Sequence, residues 1–116
     1  MNPTISIVSP VYNEEEVLHE LHQRVSAVMD EIGDTWELVL VNDGSRDRSA
    51  EVIAELHALD ERVRGISFSR NFGFQIAATA GLDHAQGDAV ILTDADLQDP
   101  PEVYPRMIAK WREGYD

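Results

Sequence analysis

Two periodicities alternate along this chain. Ile5-Ser6-Ile7-Val8-Ser9 is a short β-rich run ended by Pro10. Apolar residues then recur at helical spacing from Val17 and Leu18 through Leu21, Val25, Val28 and Met29 to Ile32. Asn13, with Glu16 three positions on, fits a capping box that opens this helix, and Gly33 fits its stop. Trp36–Val41 reads as a second strand, apolar at its end and therefore central. The alternation then repeats. Asp43-Gly44-Ser45 is a turn, and Asp47 is placed to cap a helix carrying Val52, Ile53, Leu56 and Leu59. Val63–Phe68 is a weaker third strand, Gln75–Ala85 an alanine-rich helix closed by Gly87, and Asp88–Thr93 a fourth strand. Pro100-Pro101 suits the first turn of a last helix, which would bury Val103, Met107, Ile108 and Trp111 and stop at Gly114. The order βαβαβαβα with short connections predicts an α/β domain with a mostly parallel sheet and right-handed crossovers. In such sheets ligands bind beyond the carboxyl ends of the strands. The four segments that follow the strands are therefore the places to look for chemistry.

Composition narrows that chemistry. The 116 residues make one domain at most, and an apolar fraction of 43% supports a single modest core. With 22 acidic residues against 9 basic ones the net charge is −13, which argues against a nucleic-acid binder or a polybasic membrane-surface module. The absence of cysteine excludes disulfides, zinc fingers and thiol catalysis. The amino terminus has no basic start of a signal peptide, and no apolar run exceeds four residues. The expectation is a soluble, cytoplasmic domain in which a bound phosphate needs a bridging cation.

After the first strand, Pro10-Val11-Tyr12-Asn13-Glu14 contains no glycine, so neither a dinucleotide fingerprint nor a phosphate loop is present. Tyr12 beside a carboxylate could pack against a planar base, but helix capping by Asn13 and Glu14 is the simpler reading. After the second strand, Asp43 could accept the ring N–H of a base, with Gly44 letting a ligand approach; an ordinary Asp-Gly turn explains the same residues. After the third, Phe72 and Phe74 read as core plugs, while Arg70 could hold a diphosphate or merely offset carboxylates. After the fourth, Asp94-Ala95-Asp96-Leu97-Gln98 offers two carboxylates and a carboxamide oxygen. An all-oxygen set selects a hard cation such as Mg²⁺ or Mn²⁺. Without one, like-charge repulsion would raise the pKa of one of the two aspartates. His19 and His22 share a helix face with no carboxylate expected nearby, so they read as solvated surface histidines, and Trp36 and Trp111 as core or core-edge residues.

Taken in order, Ser9-Pro10-Val11-Tyr12-Asn13-Glu14-Glu15, Val41-Asn42-Asp43-Gly44-Ser45, Ser69-Arg70-Asn71-Phe72-Gly73 and Asp94-Ala95-Asp96-Leu97-Gln98-Asp99-Pro100-Pro101-Glu102 resemble the family 2 inverting glycosyltransferases across essentially the whole chain. The resemblance is strongest to the polyprenyl-phosphate group that includes the dolichol-phosphate mannose synthases, with Arg70-Asn71-Phe72-Gly73 leaning towards the bacterial glucosyl-type enzymes. It implies a Rossmann-like, mostly parallel sheet forming the nucleotide-binding half of a GT-A fold. It also implies that Pro10, Tyr12, Glu14, Val41 and Asp43 line the pocket of a nucleotide sugar such as UDP-glucose or GDP-mannose. By the same resemblance Asp94, Ala95 and Asp96 reach the donor's ribose and diphosphate, Asp94 and Asp96 are the catalytic pair, and Asp96 and Gln98 are ligands of Mg²⁺ or Mn²⁺. A polyprenyl-phosphate acceptor is already anionic and needs no dedicated base.

The resemblance implies that a complete domain of this family is about twice this length. Residues 1–116 are thus expected to be the donor-binding part of a larger protein at the cytoplasmic face of a membrane, with the acceptor-binding regions absent and little catalysis by this part alone. An open sheet edge leaves self-association open. Two other classes compete: a folded nucleotide-binding fragment without activity, and a phosphoacceptor domain with Asp94 as nucleophile. The second needs a Thr where Gln98 stands.

Overall fold

The computed structural model describes residues 3–93 and 101–114. Its elements follow the predicted order: β1 (Ile5–Val11), α1 (Leu18–Ile32), β2 (Trp36–Asn42), α2 (Ser49–Leu59), β3 (Val63–Ser67), α3 (Phe74–His84), β4 (Ala89–Leu92), a 3-10 turn (Pro101–Val103) and α4 (Tyr104–Arg112). All described strand pairs are parallel and the sheet order is β3-β2-β1-β4. The chain leaves β1 towards β2 and β3, then crosses back to place β4 on the other side of β1, so the topological switch point lies between β1 and β4.

Strand alternation divides the core in two. Ile5, Ile7, Val11, Leu38, Leu40 and Ile91 point to one face, where Leu21, Val25 and Met29 of α1, Ile53 and Leu56 of α2, and Tyr104 and Ile108 of α4 cover them. Val8, Val39 and Val41 point to the other face and meet Ala77 of α3. The small residues of α3 let it lie close: a Cβ on Gly81 would stand 2.3 Å from Cγ1 of Val8. Among the described residues no helix is long and apolar enough to cross a membrane.

Three local expectations need correction. The capping box does not form, because α1 starts at Leu18 and Asn13 adopts a left-handed backbone with φ +52. Its polar atoms serve another loop instead. Leu59 is exposed, and on the last helix Tyr104 and Ile108 are buried while Met107, like Val103 in the turn before it, is partly open to solvent. The 3-10 turn takes up residues 101–103, so α4 starts only at Tyr104. Finally, His22 is not a solvated histidine: its Nε2 lies 2.9 Å from Oδ2 of Asp60, and both side chains are mostly buried.

The amino ends of the strands carry a network of charges. Arg62 lies over the Trp36 ring at 4.1 Å and pairs with Asp60 and Asp30, while Trp36 Nε1 donates to Asp30. Hydrogen bonds from Arg62 hold the Asp60 carboxyl well below its usual range, and those from Trp36 and Arg62 lower Asp30. A carboxyl whose folded pKa is depressed adds stability above its unfolded value of about 4, and that stability is lost as pH falls through the folded value. Net-charge repulsion changes with pH as well, so a difference measurement isolates the network. The gap in urea midpoint between the wild type and Arg62→Gln is expected to be widest near neutral pH and to narrow steadily below about pH 4. A pH-independent gap would refute this account.

Candidate functional site

The carboxyl ends of β1 and β2 open into a cleft of about 490 Å³ lined by Pro10, Val11, Tyr12, Glu14, Asp43, Asn71, Gly73 and Phe74. This volume suits a small-molecule site. Four of the expected nucleotide-binding residues, Pro10, Tyr12, Glu14 and Asp43, meet there although Tyr12 and Asp43 come from different strand-end loops. The parallel register explains the meeting: Val11 pairs with Asn42, and Asp43 N–H donates to the Val11 carbonyl at 2.8 Å, so both chains leave the sheet side by side. Val41 is placed otherwise. Its side chain is wholly buried in the core beneath α3 and does not line the cleft.

Asp43 is 3% exposed. Its Oδ1 accepts from Phe72 N–H at 2.8 Å, and its Oδ2 accepts from Gly73 N–H at 3.1 Å and Asn71 Nδ2 at 3.2 Å. This carboxylate therefore ties the loop after β3 to the loop after β2. Asn71, a residue with no role predicted from the sequence, also donates to the Asp43 carbonyl. The pairing spans 28 residues, and nothing local in the sequence signals it.

Gly44 does not open a path for a ligand. A Cβ there would lie 2.2 Å from the Arg70 carbonyl carbon and 2.3 Å from Asn71 N, so the glycine admits the neighbouring loop. Phe72 and Phe74 are not core plugs either, being 40% and 51% exposed. The Phe72 ring meets Phe68 edge-on, the Arg70 guanidinium lies 4.8 Å from its centroid, and Phe74 forms part of the cleft wall. Arg70 makes no ion pair among the described residues.

Asp94, Ala95, Asp96 and Gln98 lie outside the described residues. Their point of departure is described: β4 runs beside β1, and Thr93 N–H donates to the Val8 carbonyl at 2.9 Å. β4 thus ends at the same edge of the sheet as the cleft. Among the described residues no group of three His, Asp or Glu side chains is placed to hold a metal ion, so the metal reading rests on the oxygen donors of residues 94–98.

A comparable hollow of about 520 Å³ lies at the opposite edge, lined by Trp36, Glu37, Arg62 and Arg64 among others. Its arginines are already paired, Arg62 with Asp30 and Asp60 and Arg64 with Glu37. Both position at the amino ends of the strands and this internal pairing argue against it as the ligand site.

Comparison with known proteins agrees with the geometry. The sequence matches the family described as Glycosyl transferase family 2 over residues 6–116. It is 60% identical over 111 residues to the uncharacterized glycosyltransferase YkcC of Bacillus subtilis, covering 96% of this chain and 34% of that one. It is 51% identical over 113 residues to the undecaprenyl-phosphate 4-deoxy-4-formamido-L-arabinose transferase of Shewanella sediminis, covering 97% of this chain and 34% of the relative. The chain therefore spans about a third of the length of these relatives. In fold it is similar to the mannosyltransferase PcManGT of Pyrobaculum calidifontis, solved with GDP-Man and Mn²⁺, with a TM-score of 0.68 and 21% identity over 86% of this chain and 34% of the other. A parallel sheet with its cleft at the carboxyl ends of the strands, and a family match running almost from end to end, lead to one assignment: the chain belongs to glycosyl transferase family 2.

Proposed function

We propose that this chain is the donor-binding part of a glycosyltransferase that moves a sugar from a nucleoside diphosphate to a polyprenyl phosphate at the cytoplasmic face of a membrane. The observation that carries the reading is the convergence of Tyr12, Glu14 and Asp43 on one cleft, beside the strand from which Asp94–Gln98 depart. The cleft's two carboxylates would repel phosphate, so it suits the neutral, N–H-bearing base of the donor. Asp43 keeps acceptor capacity for such an N–H, since a carboxylate has about four lone-pair sites and three donors are bound. The diphosphate then falls towards Asp94, Ala95 and Asp96. Asp96 and Gln98 would hold Mg²⁺ or Mn²⁺, which supplies charge stabilisation for the departing diphosphate. The acceptor class is supported by the undecaprenyl-phosphate transfer for which the Shewanella relative is named, and the use of a cation by the Mn²⁺ in the mannosyltransferase.

Calorimetric titration with UDP and GDP, with and without Mn²⁺, tests the proposal. One nucleotide is expected to bind in a metal-dependent manner, and Asp96→Ala is expected to abolish that dependence. His19→Ala, on the exposed face of α1, should leave it unchanged. Equal loss in both variants, or in neither, would count against the assignment. A second reading, donor binding without turnover by these 116 residues alone, is favoured by the share of the relatives that they span. Release of free sugar or transfer to a short polyprenyl phosphate by this chain would exclude it.

A further inference from the structure

The β1–β2 ladder ends at Val11 and Asn42, yet the two chains stay joined beyond it. Asn13 N–H donates to Ser45 Oγ at 3.0 Å, and Arg46 N–H donates to Asn13 Oδ1 at 2.7 Å. Glu14 N–H donates to Ser49 Oγ at 3.0 Å and Glu15 N–H to Asp47 Oδ2 at 3.2 Å. Side chains thus continue the work of the strand ladder past the edge of the sheet. Within this set Asn13 alone both donates and accepts across the gap. It is also the only non-glycine residue with a positive φ among the described residues, a conformation in which asparagine is more at ease than other side chains.

The two neighbours of Asn13 are Tyr12 and Glu14, which both line the cleft. The left-handed residue between them turns the chain so that both side chains face the same hollow, and Glu14 Oε1 reaches back to the Tyr12 N–H at 3.4 Å. The two bonds that Asn13 makes to Ser45 and Arg46 are exposed, where single hydrogen bonds add little to folding. A strained backbone held by two long-range bonds beside a ligand cleft is better explained by what it presents.

We propose that Asn13 is a positioning residue: its clasp on Ser45 and Arg46 presets Tyr12 and Glu14 for the donor. This deepens the reading under Proposed function and rests on it. The test combines three measurements on the full chain carrying Asn13→Gly, Asn13→Asp or no change. These are the Kd for UDP and GDP with Mn²⁺, the melting temperature, and the amide NMR signals of Tyr12, Glu14 and Arg46. Asn13→Gly keeps access to the left-handed backbone but loses the Oδ1 acceptor. It is expected to weaken the Kd about tenfold while Tm moves by no more than about 3 °C. Asn13→Asp retains an acceptor oxygen and should bind within about threefold of the wild type. Unchanged affinity in Asn13→Gly, or a fall in Tm that accounts for the lost binding, would overturn the proposal. Should the wild type bind neither nucleotide, the functional reading fails on its own. The amides then still decide the role of Asn13: shifts at Tyr12, Glu14 and Arg46 in Asn13→Gly, restored in Asn13→Asp, support it, and unmoved signals refute it.

Discussion

Replacing Gly44 by alanine is expected to be among the most damaging single changes in this domain. Two costs combine. The backbone there has φ +70, which an L side chain adopts at a cost of about 1–2 kcal/mol. The new Cβ would also overlap the Arg70–Asn71 backbone at 2.2–2.3 Å, and relieving such overlap costs about 1–3 kcal/mol more. The loop after β3 can retreat only by breaking the bonds that Phe72, Gly73 and Asn71 make to Asp43. Urea unfolding should therefore show a loss of roughly 2–5 kcal/mol, and nucleotide binding should fail even where the variant stays folded, because the Phe74 wall of the cleft moves with the loop. Gly44→Asn separates the two costs. Asparagine tolerates positive φ but is bulkier, so it should be no better than alanine if the close approach dominates. A variant as stable as the wild type would show that the two loops do not pack as described.

What could be read from the sequence follows the range of the interactions concerned. The order of strands and helices was legible because each rests on neighbours in the chain: the apolar run of β2, the helical spacing of α1, the alanines of α3. The edge that carries the cleft was legible too, since parallel topology selects it. The partners of single polar residues were not. Asn13 beside Glu16 looks like a helix start, and only its contact with residues 45 and 46 shows that it fastens a second loop. Asp43 looks like an open turn acid, yet three donors from residues 71–73 hold it. Phe72 and Phe74 carry the composition of a core but are largely open to the surface, Phe72 in the loop after β3 and Phe74 at the start of α3 on the cleft wall. His22 meets Asp60 across 38 residues, a distance at which helical patterning carries no information. The same holds for Glu37, whose polar identity in a strand gives no hint that it is buried.

Glu37 provides the second large effect, at the end of the sheet away from the cleft. It is 4% exposed. Its carboxylate accepts from Ser6 Oγ at 2.5 Å, Arg64 Nη1 at 2.6 Å and Gln86 N–H at 2.7 Å. Burial alone would raise its pKa, but these donors outweigh burial and hold the carboxyl below its usual value. Glu37→Ala removes the acceptor of all three, leaving the wholly buried Ser6 hydroxyl with only its bond from Gly87 N–H, and Arg64 with the His84 carbonyl. Breaking a buried pair in this way costs about 3–5 kcal/mol, and Arg64 is one-third exposed and can be partly rehydrated, so a loss of roughly 2–4 kcal/mol is expected in urea unfolding. Glu37→Gln keeps the shape and one acceptor oxygen and should lose only about 1–2 kcal/mol. The folded pKa is depressed, so the wild type's advantage over Glu37→Gln is present above the unfolded value near 4.3 and should shrink as pH falls below it. Nucleotide affinity, measured well below the melting temperature, should be the same in both variants as in the wild type. Glu37 stands at the second position of β2, whereas Asp43 follows the last residue of that strand, and the charge network and the cleft share no described residue. Affinity falling in step with stability would mean that the two edges are coupled through the sheet, and would refute a division in which one edge holds the fold and the other is shaped for the donor.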